Sequence, residues 1–256
     1  MSWSLIVASN SHAVLESNLL GSVEVKKALE IVVQKGAKSA AIAYNAGIDA
    51  CRSDLIVFAH QDVYFAEGWA ENLEIFIGWL NDSDSNWGVV GIYGITNSGL
   101  GVGYTYSTGL RRFVGRPFSQ PIEVRTLDEI ILIIRRSSGL RFDERLPGFH
   151  LYGTDICLQA EKRGMKNYVI PCFALHNSCG IRWLPWDFWH AYLYLRKKWW
   201  NRLPIITPCT IIAKSCMPIL NHLIQRTFAT IRGKNKRGSR VENPEIFYKK
   251  YILPSL

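Results

Sequence analysis

Short apolar runs alternate with amphipathic or polar segments along the chain, the βαβ rhythm of a mostly parallel sheet flanked by helices. The pattern predicts strands over Trp3–Ser9, Leu55–Ala59, Gly88–Tyr93, Glu129–Arg135 and Asn167–Phe173. It predicts helices over Val23–Gln34, Ala40–Ala50, Ala66–Leu80 and Tyr152–Arg163. In the third helix Trp69, Leu73, Phe76 and Leu80 recur at spacings of four, three and four, which makes one apolar face. The span Gly91–Gly109 holds six glycines with Asn97 and Ser98, and reads either as a long mobile loop beside a site or as a disordered connection.

One strand ends oddly. Leu55–Ala59 is unbroken and apolar, and His60, Gln61 and Asp62 follow at once. In open α/β sheets ligands sit outside the carboxyl ends of the strands, so these side chains stand where a ligand would. A carboxylate with imidazole or amide neighbours there can hold a hard divalent cation, and the cation a diphosphate. The alternative is that Asp62 caps the helix near Ala66 or forms an Asx turn.

Composition bounds these readings. The chain has 256 residues, 48% hydrophobic and 20% charged, enough for a real core in one large α/β domain, alone or with an appendage. Its net charge of +9 is unevenly placed. Residues 1–180 carry 16 Lys+Arg against 18 Asp+Glu, and residues 181–256 carry 14 against 3. The basicity belongs to the C-terminal tail, which argues against a nucleic-acid-binding core and for a tail that meets something anionic. Six cysteines (Cys51, Cys157, Cys172, Cys179, Cys209 and Cys216) show no metal-ligand spacing and read as reduced thiols of a cytosolic protein. MSWSLIVASN lacks a basic region and a long apolar run, so it reads as a first strand and not as a signal or anchor.

Two motif blocks carry a resemblance. AIAYNAGIDACRSDLIVFAHQDVYFAEGW is similar to the nucleotide-binding segment of glycosyltransferase family 2 and its GT-A-fold relatives. There an Asn-x-Gly on a helix precedes a strand ending in Asp-x-Asp, and a Gly-Trp starts the next helix. Asn45 and Gly47, Asp62, and Gly68 with Trp69 match, while His60 replaces the first Asp. The sequence resembles the branch that writes the motif His-Gln-Asp-Val. FDERLPGFHLYGTDICLQAEKRGMKNYVIPCFALHNSCG resembles the second signature of the family, with Asp143, Glu144, Asp155, Gly164, Pro171 and His176 in its places. The likeness covers roughly Trp3 to Leu203 and continues into WHAYLYLRKKWWNRLPI.

What the resemblance implies is a GT-A-like domain over 1–203, followed over 204–256 by a helical, basic and aromatic extension. It implies transfer of a sugar, with inversion, from a nucleotide-sugar donor to a glycan or lipid-linked acceptor in cell-surface polysaccharide synthesis. Asp62 and His176 are then the ligands of Mn²⁺ or Mg²⁺, the mixed imidazole and carboxylate set suiting Mn²⁺ better. His60 completes the shell or touches phosphate. Ser9, Asn10, Gln61 and Asn45 are placed near the nucleotide, with Asn45 alternatively ordering the site from within its helix. Asp128 stands near the sugar or acceptor, or merely marks a strand start. The base is the open question. Where many relatives carry a Glu-Asp pair, this chain has Tyr152 and Gly153, and glycine accepts no proton. Asp155 is the nearest carboxylate, with a plain reading as a helix cap beside its catalytic one. His150 is the other candidate, as an imidazole titrates near neutrality. The acidic residue that grips a uracil in relatives has no counterpart within Gly21–Ser39.

The tail mixes Trp and Tyr with Lys and Arg from Trp183 to Arg240, which suits the headgroup region of an anionic leaflet or packing on the domain or in an oligomer. Prolines 204, 208 and 218 make Leu203–Leu220 a poor spanning helix. GKNKRGSR, Gly233–Arg240, reads as a flexible link before a final helix near Pro244–Tyr251. Cytoplasmic placement, peripheral on the inner membrane face, follows as an expectation. Two rivals are a catalytically silent GT-A-like partner subunit, motivated by His60 and Gly153, and a nucleotidyltransferase, whose glycine-rich phosphate loop Ser9–Leu19 lacks.

Overall fold

The computed structural model describes residues 1–180, 183–231 and 238–255. Of the link read at Gly233–Arg240, residues 233–237 lie outside the described residues. The strands are β1 (Trp3–Ser9), β2 (Glu30–Lys35), β3 (Leu55–His60), β4 (Val63–Phe65), β5 (Trp87–Gly91), β6 (Tyr93–Ile95), β7 (Gly101–Ser107), β8 (Arg112–Gly115), β9 (Ile122–Val124), β10 (Thr126–Leu127), β11 (Ile131–Arg135), β12 (Lys166–Val169), β13 (Ala174–His176), β14 (Ile205–Ile206) and β15 (Ile211–Ile212). The helices are α1 (His12–Ser17), α2 (Ala40–Ala50), α3 (Trp69–Ser83), α4 (Tyr152–Lys162), α5 (Trp186–Lys198), α6 (Met217–Ile231) and α7 (Pro244–Phe247).

Seven strands form the central sheet in the order β2-β1-β3-β11-β5-β12-β9. β1 runs parallel to both β2 and β3, while β11 is antiparallel between β3 and β5. The unbroken apolar run of β3 follows from burial on both faces. Ile56 and Phe58 enter the core under α2, α4 and α5, and Leu55, Val57 and Ala59 enter the core under α3. Each such buried Leu, Ile, Val or Phe side chain is worth about 1.5–3 kcal/mol. A second sheet, β10-β6-β7-β13-β4 with β8 beside β7, continues beyond one end of the first.

The Asn-x-Gly motif has a packing cause. Asn45 donates Nδ2–H to Phe142 O at 2.9 Å and to Glu144 Oε1 at 3.0 Å, and accepts Phe142 N–H at 3.0 Å. Gly47 lets α2 lie on β1, because a methyl group there would overlap Ile6. Gly68 takes φ +78 to start α3, whose Trp69 stacks on Phe65 at 4.0 Å.

Two expected elements are corrected. Val23–Gln34 is no helix: a 3₁₀ turn covers Val23–Lys27, and β2 follows. Ile31, Val32 and Val33 are β-branched and pair in register with Leu5, Ile6 and Val7, so sheet pairing overrides the helical reading. Nor is Gly91–Gly109 a loop, since β6 and β7 occupy most of it. Its glycines serve close backbone approach: Gly103, at φ +135, would carry a methyl into Ile92 O.

Two parts of the chain past Leu203 pack on the domain. It opens with the hairpin β14–β15, and Ile205 and Ile212 are fully buried in the core that also holds Tyr192. Tyr248 and Ile252, in the wide helical turn after α7, close over Tyr64 and Leu175. In α5, Phe188, Trp189, Tyr192 and Leu195 face the core, so these tail aromatics are structural. Among the described residues no helix is long and apolar enough to cross a membrane. All six cysteines are free.

Candidate functional site

Chain order places β2 on one side of β1 and β3 on the other, which opens a crevice at their carboxyl ends. A cavity of about 300 Å³ lies there. It is lined by Ser9 and Asn10 at the end of β1, Gln34 and Gly36 at the end of β2, and His60, Gln61 and Asp62 at the end of β3, with Tyr44, Phe149 and Tyr152 opposite. Gln61 ties the two strand ends together. Its Oε1 accepts Ser9 Oγ–H at 2.8 Å and the N–H groups of Asn10 and Ser11 at 3.2 and 3.1 Å, and its Nε2 donates to Asn10 Oδ1 at 2.6 Å.

His60, Asp62 and His176 converge on one point, each offering a ligand atom within 4.8 Å of the others. β13 brings His176 there by pairing with Val63 on β4. Asp62 Oδ1 lies 3.4 Å from His176 Nε2, and the two histidine rings meet edge on at 5.8 Å. Tyr152 Oη donates to Glu129 O at 3.3 Å and meets His60 Nε2 at 2.9 Å. With its proton so engaged, Tyr152 accepts from His60 Nε2–H, a tautomer that leaves the Nδ1 lone pair free.

The electrostatics separate the three groups. Burial lowers the His60 pKa to about 4 against the pull of Asp62, so this ring is neutral near pH 7. Burial opposes ionisation of Asp62, but His176, His60 and Arg240 outweigh it and hold the carboxyl well below the usual carboxylate range. At His176 burial is likewise overcome by Asp62, and the pKa is raised. A deprotonated carboxylate and two imidazoles at this spacing fit a borderline divalent cation.

Arg240 is a site residue that sequence reading missed. Its Nη2 donates to Asp62 Oδ2 at 3.2 Å and its Nε to Asn177 O at 3.1 Å. Asn177 clamps the incoming strap: it accepts Val241 N–H at 2.8 Å and donates to Val241 O at 2.9 Å. Gly238 passes against Gly109, with no room for a methyl. No local signal marks Arg240 among the basic residues of the tail. Gln34 was hidden by the helical reading of its segment.

Other expected residues fall elsewhere. Asp155, the expected base, is fully buried and does not line the cavity. Trp199 Nε1 donates to its Oδ1 at 2.8 Å, and Lys198 Nζ and Gln159 Nε2 donate to its Oδ2 at 2.8 and 2.9 Å, so both oxygens are occupied. That is a structural arrangement binding α5 to α4. His150 packs on Phe188 at 5.6 Å, and burial lowers its pKa. Asn45 is consumed in holding the 142–144 loop, as its ordering role required. Asp128 is partly buried, caps Ile130 N–H at 3.0 Å and does not line the cavity.

A model of the family described as "Glycosyltransferase like family" matches residues 5–184. A curated protein of Fuscovulum blasticum, "ATP synthase subunits region ORF 6", is 31% identical over 136 residues, 50% of this chain and 52% of that protein. The chain thus matches about half the length of that relative. A structure of GalNAc-T7 with UDP, GalNAc and Mn²⁺ superposes with a TM-score of 0.54 at 11% identity, over 78% of this chain and 49% of the other. S. aureus TarS 1–349 in complex with UDP-GlcNAc gives 0.50 at 13% identity, over 78% and 67%. At these identities the likeness is one of fold, and the fold is GT-A.

Proposed function

The chain belongs to the glycosyltransferase-like family, and from that premise we propose that it moves a sugar from a nucleotide-diphosphate donor to an acceptor hydroxyl, with inversion at the anomeric carbon. The acceptor in this reading is a glycan or lipid-linked sugar of cell-surface polysaccharide synthesis. The observation that carries the reading is the convergence of His60, Asp62 and His176 beside a cavity between β1 and β3.

Those three residues would hold Mn²⁺ or Mg²⁺, and the cation would supply positive charge to a leaving diphosphate. The chain's own groups do the rest. Ser9, Asn10 and Gln61 form the wall along which the nucleoside would lie, with Gln34 at its far end. Arg240 faces the same carboxylate from the strap, and its planar donors suit phosphate oxygens. Neutral His60 adds an imidazole nitrogen without adding charge. The structures with UDP and Mn²⁺ and with UDP-GlcNAc support donor binding by analogy of fold.

We extend the reading to a peripheral membrane contact on the inner face. On α6, Met217, Leu220, Leu223, Ile224 and Phe228 are exposed along one side. The surrounding tail is basic, and each such residue near an anionic leaflet contributes about 1 kcal/mol.

The test is release of nucleoside diphosphate from a panel of UDP- and GDP-sugars with Mn²⁺, Mg²⁺ or EDTA. Release that needs the cation supports the donor reading and the metal set together. Release unaffected by EDTA keeps the transferase and removes the cation. A protein that binds nucleotide yet never turns over is the silent partner that Gly153 suggested.

A further inference from the structure

We infer that a second cavity, between the β4–α3 turn and the chain after Arg240, binds one neutral sugar ring through the hydroxyls of Tyr64 and Tyr248 and the carboxylate of Glu67. The inference stands apart from the donor reading, since a catalytically silent subunit would hold the same sugar.

The cavity measures about 270 Å³, at the small end for ligand pockets, which suits a single ring. One wall comes from the domain: Tyr64 on β4, Glu67 in the turn after it, and Glu24 and Lys27 on the 3₁₀ turn. The other is Glu245, Tyr248 and Lys249, on the segment that has just carried Arg240 to Asp62. Strand alternation aims the first wall. Val63 and Phe65 enter the core under α3, so Tyr64 points the other way, where its ring lies 6.0 Å from that of Tyr248. Asn243 positions the second wall, its Oδ1 accepting Ile246 N–H at 2.9 Å to start α7.

The two tyrosines are what mark the cavity as a site. Tyr64 is 5% exposed and Tyr248 3%, and among the described residues neither hydroxyl has a hydrogen-bond partner. Buried tyrosine hydroxyls ordinarily find one. Neither is sealed inside the core, because both residues line the cavity. Their O–H groups are left for a ligand.

The charges select its chemistry. Glu24 is spent on Ala70 N–H at 2.9 Å and on Lys27 Nζ at 3.0 Å, and Glu245 on Lys249 Nζ at 2.7 Å. Glu67 is exposed and enters no hydrogen bond or ion pair among the described residues. Three carboxylates against two ammonium groups repel a phosphate. A bare cation would meet Lys27 and Lys249 and would give the tyrosine O–H groups no acceptor. Vicinal hydroxyls answer both needs: they donate to Glu67 and accept from Tyr64 and Tyr248, while the C–H face of the ring lies on the aromatic wall.

The test uses the full chain with UDP and Mn²⁺ present to fill the crevice between β1 and β3. The probes are methyl glycosides of glucose, galactose, mannose, N-acetylglucosamine and N-acetylgalactosamine, with maltotriose and chitotriose, read by saturation-transfer NMR. At least one should bind. A trisaccharide that binds more tightly than its single unit supports the pocket with a glycan as the source, and equal binding supports it with a free sugar. Tyr64→Phe and Tyr248→Phe each remove one oxygen and keep the packing, so each should weaken binding about 2- to 10-fold, and Glu67→Gln about 10-fold. Both phenylalanine variants should melt with wild type, because no protein group loses a partner. Absence of binding by every probe, or unchanged binding in the Tyr64→Phe, Tyr248→Phe double variant, overturns the pocket and leaves the donor reading standing. A phenylalanine variant that melts well below wild type also overturns it, since the hydroxyl is then satisfied within the protein. Displacement of the probe by inorganic phosphate overturns the choice of a neutral sugar.

Discussion

Arg240 and Asp62 lie 178 residues apart in the chain, and Nη2 of the one donates to Oδ2 of the other at 3.2 Å. The guanidinium therefore shares a carboxylate with the candidate cation site. Replacing it should have two opposite effects. Arg240→Met should weaken UDP or GDP binding in Mn²⁺ about 10- to 100-fold, the worth of one charge-assisted hydrogen bond. Mn²⁺ alone should bind at least as tightly as before, because Oδ2 loses a competitor. Calorimetry with each titrant decides; equal loss for both would mean that the strap only stabilises the fold.

The two histidines should titrate on opposite sides of the free-histidine value in metal-free protein. ¹⁵N-histidine spectra should show His60 near pH 4 and His176 above 6.5. The sign for stability follows. Between pH 6.5 and 4 the unfolded chain protonates His60 and the folded chain does not, so the His60 contribution is whole above 6.5 and falls as pH drops, by on the order of 3 kcal/mol in total. His176 runs the other way: its contribution is present below its unfolded pKa and is lost as pH rises through its raised folded one. Finding both rings near 6.5 would refute the separation.

Asp155→Asn should act on stability. It leaves Lys198, 19% exposed, without its partner on a carboxylate side chain only 2% exposed. Removing one member of such a pair costs about 3–5 kcal/mol, and Asp143 still engages Lys198 at 2.7 Å, so the lower end is expected. Chemical denaturation measures the loss. Below the transition, nucleotide affinity should match wild type; a selective loss of turnover with unchanged stability would restore Asp155 to the chemistry.

Anionic vesicles should float the intact chain. A Leu220→Glu, Phe228→Glu variant should float several-fold less, because the exposed face of α6 supplies the apolar contact. Equal flotation, or flotation that high salt fails to weaken, would remove the membrane contact.

Much of the crevice could be read in advance. The apolar run of β3 followed by His60, Gln61 and Asp62 announced a strand end with chemistry, and the three residues do lie at the cavity. His176 was legible through the order of its motif. Asp155 was misplaced because sequence distance from Gly153 says nothing of which way a helical side chain points. Two positions along α4 turn it by about 200°, onto Lys198 and Trp199 and away from the crevice.

The sequence by itself determined which segments are buried on both faces and where the strand that leads into Gln61 and Asp62 must end. Local hydrophobic period and residue chemistry suffice for these, because they act over a few neighbours. Only the tertiary structure decided that β2 is a strand, that Arg240 returns to Asp62, and that Tyr248 comes to lie beside Tyr64. Each of those is a contact between residues distant in the chain. Its free energy comes from pairing, charge or volume shared across the fold, and no local pattern encodes it.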